Sequence, residues 1–165
     1  MKTIFDKNTR EELINRVDSL NENSTAQWGK MNVYQMIKHC ILCEEMYLGK
    51  TPYKRTFLSY LLGKIALNQL MKNDKPKKRN SPTKQEFIIS ENTGNFLEEK
   101  LKWISLIQEY ENYANQNFVH WFFGKMTKEY QINKILNSKG LFYTIIVGYF
   151  YCKIFSGFPF EIYQL

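Results

Sequence analysis

The feature that most constrains this chain is a bounded helical period at residues 32–49. Asn32 is a favoured N-cap residue type, and Gln35 stands where a third helical residue reaches back to the cap. Gly49 is placed to end the segment in a left-handed turn. Between them Val33, Met36, Ile37, Cys40, Tyr47 and Leu48 recur on one side at a period near 3.6. The spacing predicts one well-delimited helix with a single apolar face, which other helices must cover.

Two polar residues interrupt that face. At about 100° per residue Glu44 projects within the apolar arc and His39 sits at its border. A carboxylate and an imidazole turned toward an interior suit a metal or pocket site, or an acid/base pair. The plainer alternative is a half-exposed border histidine and a glutamate that swings to water among Lys38, Glu45 and Lys50.

The other elements follow from caps and breakers. Thr9 and Glu12 have capping-box spacing, which predicts a first helix over 9–20 with Leu13, Ile14, Val17 and Leu20 inward. Residues 21–27 are polar and read as a loop. A third helix is expected over 56–71, with Phe57, Leu58, Leu61, Leu62, Ile65 and Leu70 inward and Gly63 permitting a close crossing. The lysine-rich run 72–84 carries Pro76 and Pro82 and only one acid, Asp74. It suits either an anion-binding lid or a solvated connection, and the connection is favoured. Residues 87–89 are short and apolar, expected as an extended piece over the core. Asn95 and Glu98 open a fourth helix to about Tyr113, with Leu97, Leu101, Ile104, Ile107 and Tyr110 inward and Trp103 on a flank. Residues 114–126 form an aromatic loop, and Thr127 can cap one more helix. No convincing strand pair emerges, so the expected class is all-α, a helical bundle.

A length of 165 residues fits one domain, and 44% hydrophobic residues suffice to bury a core. The net charge of +7 attracts anions, but no recognisable reading motif accompanies it, so nucleic acid is not an expected partner. Three cysteines, an odd count, and no secretory signal in the opening residues argue for a reducing cytoplasm.

The chemistry-bearing residues are few. Cys40 and Cys43 form a C-x-x-C, a zinc or redox spacing in the right context, but a mid-helix position without a second pair favours two small buried residues. His120 lies in the aromatic loop before Gly124. It fits a pocket group and a loop-pinning hydrogen bond equally well. No triad can be argued and no glycine-rich phosphate loop is present.

Trp28-Gly29-Lys30-Met31, then Gln35-Met36 and His39-Cys40, resembles the DinB/YfiT-like superfamily of metalloenzymes, closest to an uncharacterised branch of it. The segment Phe118-Val119-His120-Trp121-Phe122-Phe123-Gly124-Lys125-Met126-Thr127 agrees with that resemblance. It implies a DinB-like four-helix bundle over 1–129 with a metal site between helices. It also implies zinc- or nickel-dependent chemistry on a small molecule, of thiol-dependent transferase, isomerase or hydrolase type. Superfamily members that keep a metal use three histidines, one on the second helix, matched here by His39. The other two come from a late helix as H-x-x-x-H, a spacing that puts both imidazoles on one face.

The chain departs from that pattern. It has two histidines in all, and none after His120. The metal candidate is therefore His39 in an incomplete site, with His120 and Glu44 as pocket candidates and no tightly bound metal expected. Residues 130–165 form an atypical, aromatic-rich segment in place of the family's last helix, which is altered or incomplete. Within it, residues 141–160 carry Lys153 as the only charge. A membrane anchor, a repacked last helix and an ending altered by a frame change or gene decay are all open. The last is favoured, and a membrane partner is not expected. Two functional readings follow. One is a DinB-like protein related to metal-dependent enzymes but lacking a complete site. The other is a non-catalytic bundle that binds a small-molecule ligand or forms a homodimer.

Overall fold

The computed structural model describes residues 4–26, 30–72, 84–114 and 119–125. These residues are mainly helical: α1 Lys7–Asp18, α2 Val33–Tyr47, α3 Phe57–Lys72 and α4 Phe96–Gln108, with 3-10 turns at Gln85–Phe87 and Glu109–Asn112. A small antiparallel hairpin, β1 Val119–His120 and β2 Gly124–Lys125, pairs His120 with Gly124. The aromatic loop thus contains two short strands that its composition did not announce.

α2 forms as its ends dictate. The Asn32 side chain accepts from the Gln35 amide at 2.9 Å, and Gln35 accepts from the Asn32 amide at 3.0 Å, a complete capping box. The two side chains also reach across to the 89–92 segment. Asn32 Nδ2 donates to the Asn92 carbonyl at 2.7 Å and Gln35 Nε2 to the Ile89 carbonyl at 3.1 Å. Gly49 follows the helix at φ 76°, a left-handed conformation that costs glycine nothing.

α1 starts earlier than its threonine suggested. Asp6 is the cap, accepting from the Thr9 amide and the Thr9 hydroxyl at 2.9 Å each. A carboxylate caps better than a threonine, so Thr9 becomes the third helical residue.

The core lies where α4 packs against α2 and α1. Val17, Ile37, Cys40, Trp103 and Ile107 are buried there. α4 is rotated from the expected face: Leu97 and Leu101 point to solvent, while Phe96, Trp103, Leu106 and Ile107 face in. The stripe through Phe96, Trp103 and Tyr110 carries more apolar area than the leucine stripe, and area decides which face is buried. Lys100 Nζ donates to the Asp18 carbonyl at 2.9 Å, tying α4 to the C-terminal end of α1.

α3 departs most from expectation. Its buried stripe is Ser59, Gly63 and Leu67, while Phe57, Leu58, Leu61, Leu62 and Ile65 are exposed. Gly63 explains the orientation. A Cβ there would stand 2.0 Å from the Phe122 carbonyl oxygen, so the hairpin backbone presses directly on the helix. Close approach through small residues turned the large apolar side chains away; the Leu70 side chain lies outside the described residues. Phe87 is buried as expected, but in a 3-10 turn rather than an extended piece, and Ile88 beside it is exposed.

Trp28, Gly29, most of the lysine-rich run, Phe118, Thr127 and the segment 130–165 also lie outside the described residues. Among the described residues, no helix is long and apolar enough to cross a membrane.

Candidate functional site

α2 delivers two adjacent polar stripes into the core. Residues four apart share a helix face, which aligns His39, Cys43 and Tyr47 in one row and Cys40 and Glu44 in the next. Both polar residues singled out from the sequence are interior. His39 is buried, and Glu44 is 0% exposed. The half-exposed alternative for His39 and the solvent-directed one for Glu44 are therefore overturned: α4 and the 84–89 segment close over the helix border.

The ring of His39 is oriented by the backbone. Its Nδ1 lies 2.8 Å from the Phe87 carbonyl oxygen, which can only accept, so Nδ1 carries the proton. Nε2 is then the acceptor and faces Cys43 Sγ at 3.8 Å. Burial pushes the His39 pKa down, against the Phe87 hydrogen bond. Burial also pushes the Cys43 thiol up, helped by the charge of Glu44, so the thiol stays protonated and donates weakly to Nε2. Cys40 is equally buried, with its thiol raised for the same reason, and donates to Met36 Sδ at 3.7 Å. Both cysteines are buried and act as small interior groups.

Glu44 sits between α2 and α4. Tyr110 Oη donates to its Oε2 at 2.5 Å. Burial raises its pKa to about 7, while Tyr110 and Trp103 pull the other way. The Trp103 indole is close enough to act on the charge, yet among the described residues neither Trp103 Nε1 nor Glu44 Oε1 has a partner of normal hydrogen-bond geometry. The role of Trp103 was not legible from sequence. It had been placed on a flank, and only the rotation of α4 brings its ring against the carboxyl.

His120 is buried in the hairpin. Its Nδ1 accepts from the amides of Phe122 and Phe123 at 3.0 and 3.2 Å, closing the turn. The neutral ring therefore holds its proton on Nε2. The ring lies 6.1 Å from that of Tyr47 and 4.6 Å from that of Phe123, with Trp121 stacked on it. On the far side of His39, Phe87 stacks with Tyr53 at 4.7 Å. The structure thus brings His39, Glu44 and His120 to neighbouring positions along α2, linked through Cys43 and Tyr47, with partly buried Tyr53 beside Phe87 and partly buried Trp121 and Phe123 beside His120.

Tested against a metal, the described residues supply two donors, His39 Nε2 and Cys43 Sγ. The His39 Nδ1 bond to a carbonyl is the usual way of orienting a ligating histidine. A catalytic zinc site takes three protein ligands, and a thiol must lose its proton to bind. Burial opposes that loss at Cys43, and no cluster of three or more His, Cys, Asp or Glu suited to a metal is found among the described residues. The described donor set does not fit a resident ion.

No curated protein and no solved structure matches the chain. A family model matches residues 5–136, spanning the helices and the hairpin, and on that match the chain belongs to the DUF1569 family, whose description is a protein of unknown function.

Proposed function

We propose that this chain is a DinB/YfiT-like helical bundle whose metal-ligand set is incomplete, and that it binds a small aromatic or apolar molecule without performing chemistry on it. The observation that carries the reading is the use made of the two histidines. Each commits Nδ1 to the backbone, His39 to the Phe87 carbonyl and His120 to the Phe122 and Phe123 amides. These imidazoles work as braces for the loops that flank α2. Glu44, with a pKa of about 7, would suit proton transfer, but its complete burial keeps a substrate atom away from it. What remains accessible is the aromatic wall of Tyr53, Trp121 and Phe123, a surface suited to flat apolar ligands.

The bundle assignment rests on the sequence resemblance together with the helical fold. The ligand-binding reading is tested in two steps. Dialysed full-length protein is assayed for zinc and nickel, and the expected content is well below one equivalent; one firmly held equivalent overturns the incomplete-site reading. Indole is then titrated as a probe and followed by NMR. Saturable shifts at Tyr53, Trp121 and Phe123 are expected, and their absence would sink the ligand-binding reading.

A further inference from the structure

The largest feature that the ligand-binding reading leaves unused is the outer face of α3. At about 100° per residue, Phe57, Leu61, Ile65, Leu58 and Leu62 form a continuous arc of about 140°, as wide as the core-facing stripe of an ordinary helix. Their exposure is 86%, 62%, 55%, 56% and 40%, respectively. Scattered apolar residues on a surface need no explanation, but a full helical stripe does. The opposite stripe, Ser59, Gly63 and Leu67, is already occupied by the hairpin, so α3 cannot roll to bury its larger face.

We infer that this face of α3 is the docking surface for the chain's own residues 141–160. The exit point supports this. β2, which ends at Lys125, packs on α3 from the Gly63 side, so the chain leaves the described residues next to this helix, within one helix diameter (about 10 Å) of its outer face. Residues 126–140 are mostly polar and provide a tether of 15 residues, which when extended at about 3.3 Å per residue reaches further than α3 at about 1.5 Å per helical residue. Residues 141–160 hold Phe, Tyr, Ile, Leu and Val with Lys153 as the single charge, a composition that needs an apolar surface to cover. A tether of that length sets an effective concentration in the millimolar range, which favours the attached segment over a second copy of the chain. The inference is independent of the ligand-binding reading, because α3's outer face contributes none of Tyr53, Trp121 or Phe123.

The test places a photoreactive benzophenone amino acid at position 61 of the full-length protein. It is cross-linked in a mixture of unlabelled and nitrogen-15-labelled chains, and the linked peptides are identified by mass. Cross-links from position 61 to residues 141–160 within one isotopic species are the expected result. Cross-links between species, or no linked peptide from 141–160, overturn the assignment. A second reading uses Cys152, which lies inside the docking segment. In Leu61→Lys/Ile65→Lys its alkylation by iodoacetamide is expected to accelerate at least tenfold, while Cys40 and Cys43 stay slow as a check on folding. An unchanged Cys152 rate with the fold intact also counts against the proposal.

Discussion

Glu44 on α2 and Tyr110, two residues past the end of α4, meet in a 2.5 Å hydrogen bond that gives the buried carboxyl its one partner of normal geometry among the described residues. Tyr110→Phe removes that partner and keeps the ring. The expected loss is about 1–3 kcal/mol, the desolvation cost of an unsatisfied buried polar group. Urea denaturation of the two proteins checks it, and a loss near zero would mean that water reaches Glu44.

The same carboxyl sets a pH dependence. Its folded pKa of about 7 stands above the ordinary glutamate value of 4.5, so between those values the folded state holds a proton that the unfolded state has released. Stability from this group is full below about 4.5 and is lost as pH rises through about 7, by roughly 3 kcal/mol in all. His39 acts oppositely. Its folded pKa is lowered, so its contribution is present above the ordinary histidine value of 6.5 and is lost as pH falls through the folded pKa. Glu44→Gln is expected to remove the fall in stability between about pH 4.5 and 7 and to leave the opposing rise with pH that His39 contributes below 6.5. Denaturation midpoints from pH 4 to 9 decide it.

His39 is the buried one of two side chains, with Gln35, that link α2 to the 84–89 segment. His39→Ala leaves the Phe87 carbonyl without its partner and opens a void beside Cys43. Destabilisation of about 2–4 kcal/mol is expected, together with faster hydrogen exchange at residues 85–88. Zinc content is expected to stay unchanged; a drop in bound zinc would restore His39 to the role of ligand.

Gly63→Ala places a methyl carbon 2.0 Å from the Phe122 carbonyl oxygen, with backbone rather than a flexible side chain in the way. Alanine favours helix by about 1 kcal/mol over glycine, so an unobstructed site would be stabilised. The expected sign here is the reverse, a loss of about 1–3 kcal/mol from overpacking. A thermal melt distinguishes the two.

Local rules made α2 readable: a reciprocal cap, a left-handed glycine and one apolar period, each acting within a few residues. The same rules placed Glu44 inside. They misplaced the face of α3 and, on α4, Leu97 and Leu101, while Ile107 and Tyr110 lie inward as expected; two competing apolar stripes lay on each helix, and the winner depended on a neighbour distant in sequence. For α3 that neighbour is Phe122, whose carbonyl selects the glycine side. For α4 it is Glu44, met by Tyr110 on the side that also buries Trp103. His120 was open between pocket group and loop brace because tautomer and partners are matters of geometry, and the hairpin that supplies its two amide donors is only two residues per strand.

The clasp from Lys100 to the carbonyls of Asp18 and Leu20 spans 82 and 80 positions of chain. α1 therefore meets its principal companion only after α4 has cleared the ribosome. Until then the Val17 side of α1 stands bare, and closing so large a loop delays assembly. The growing polypeptide accordingly carries an uncovered α1 until α4 emerges, the interval in which a holding chaperone has most to offer.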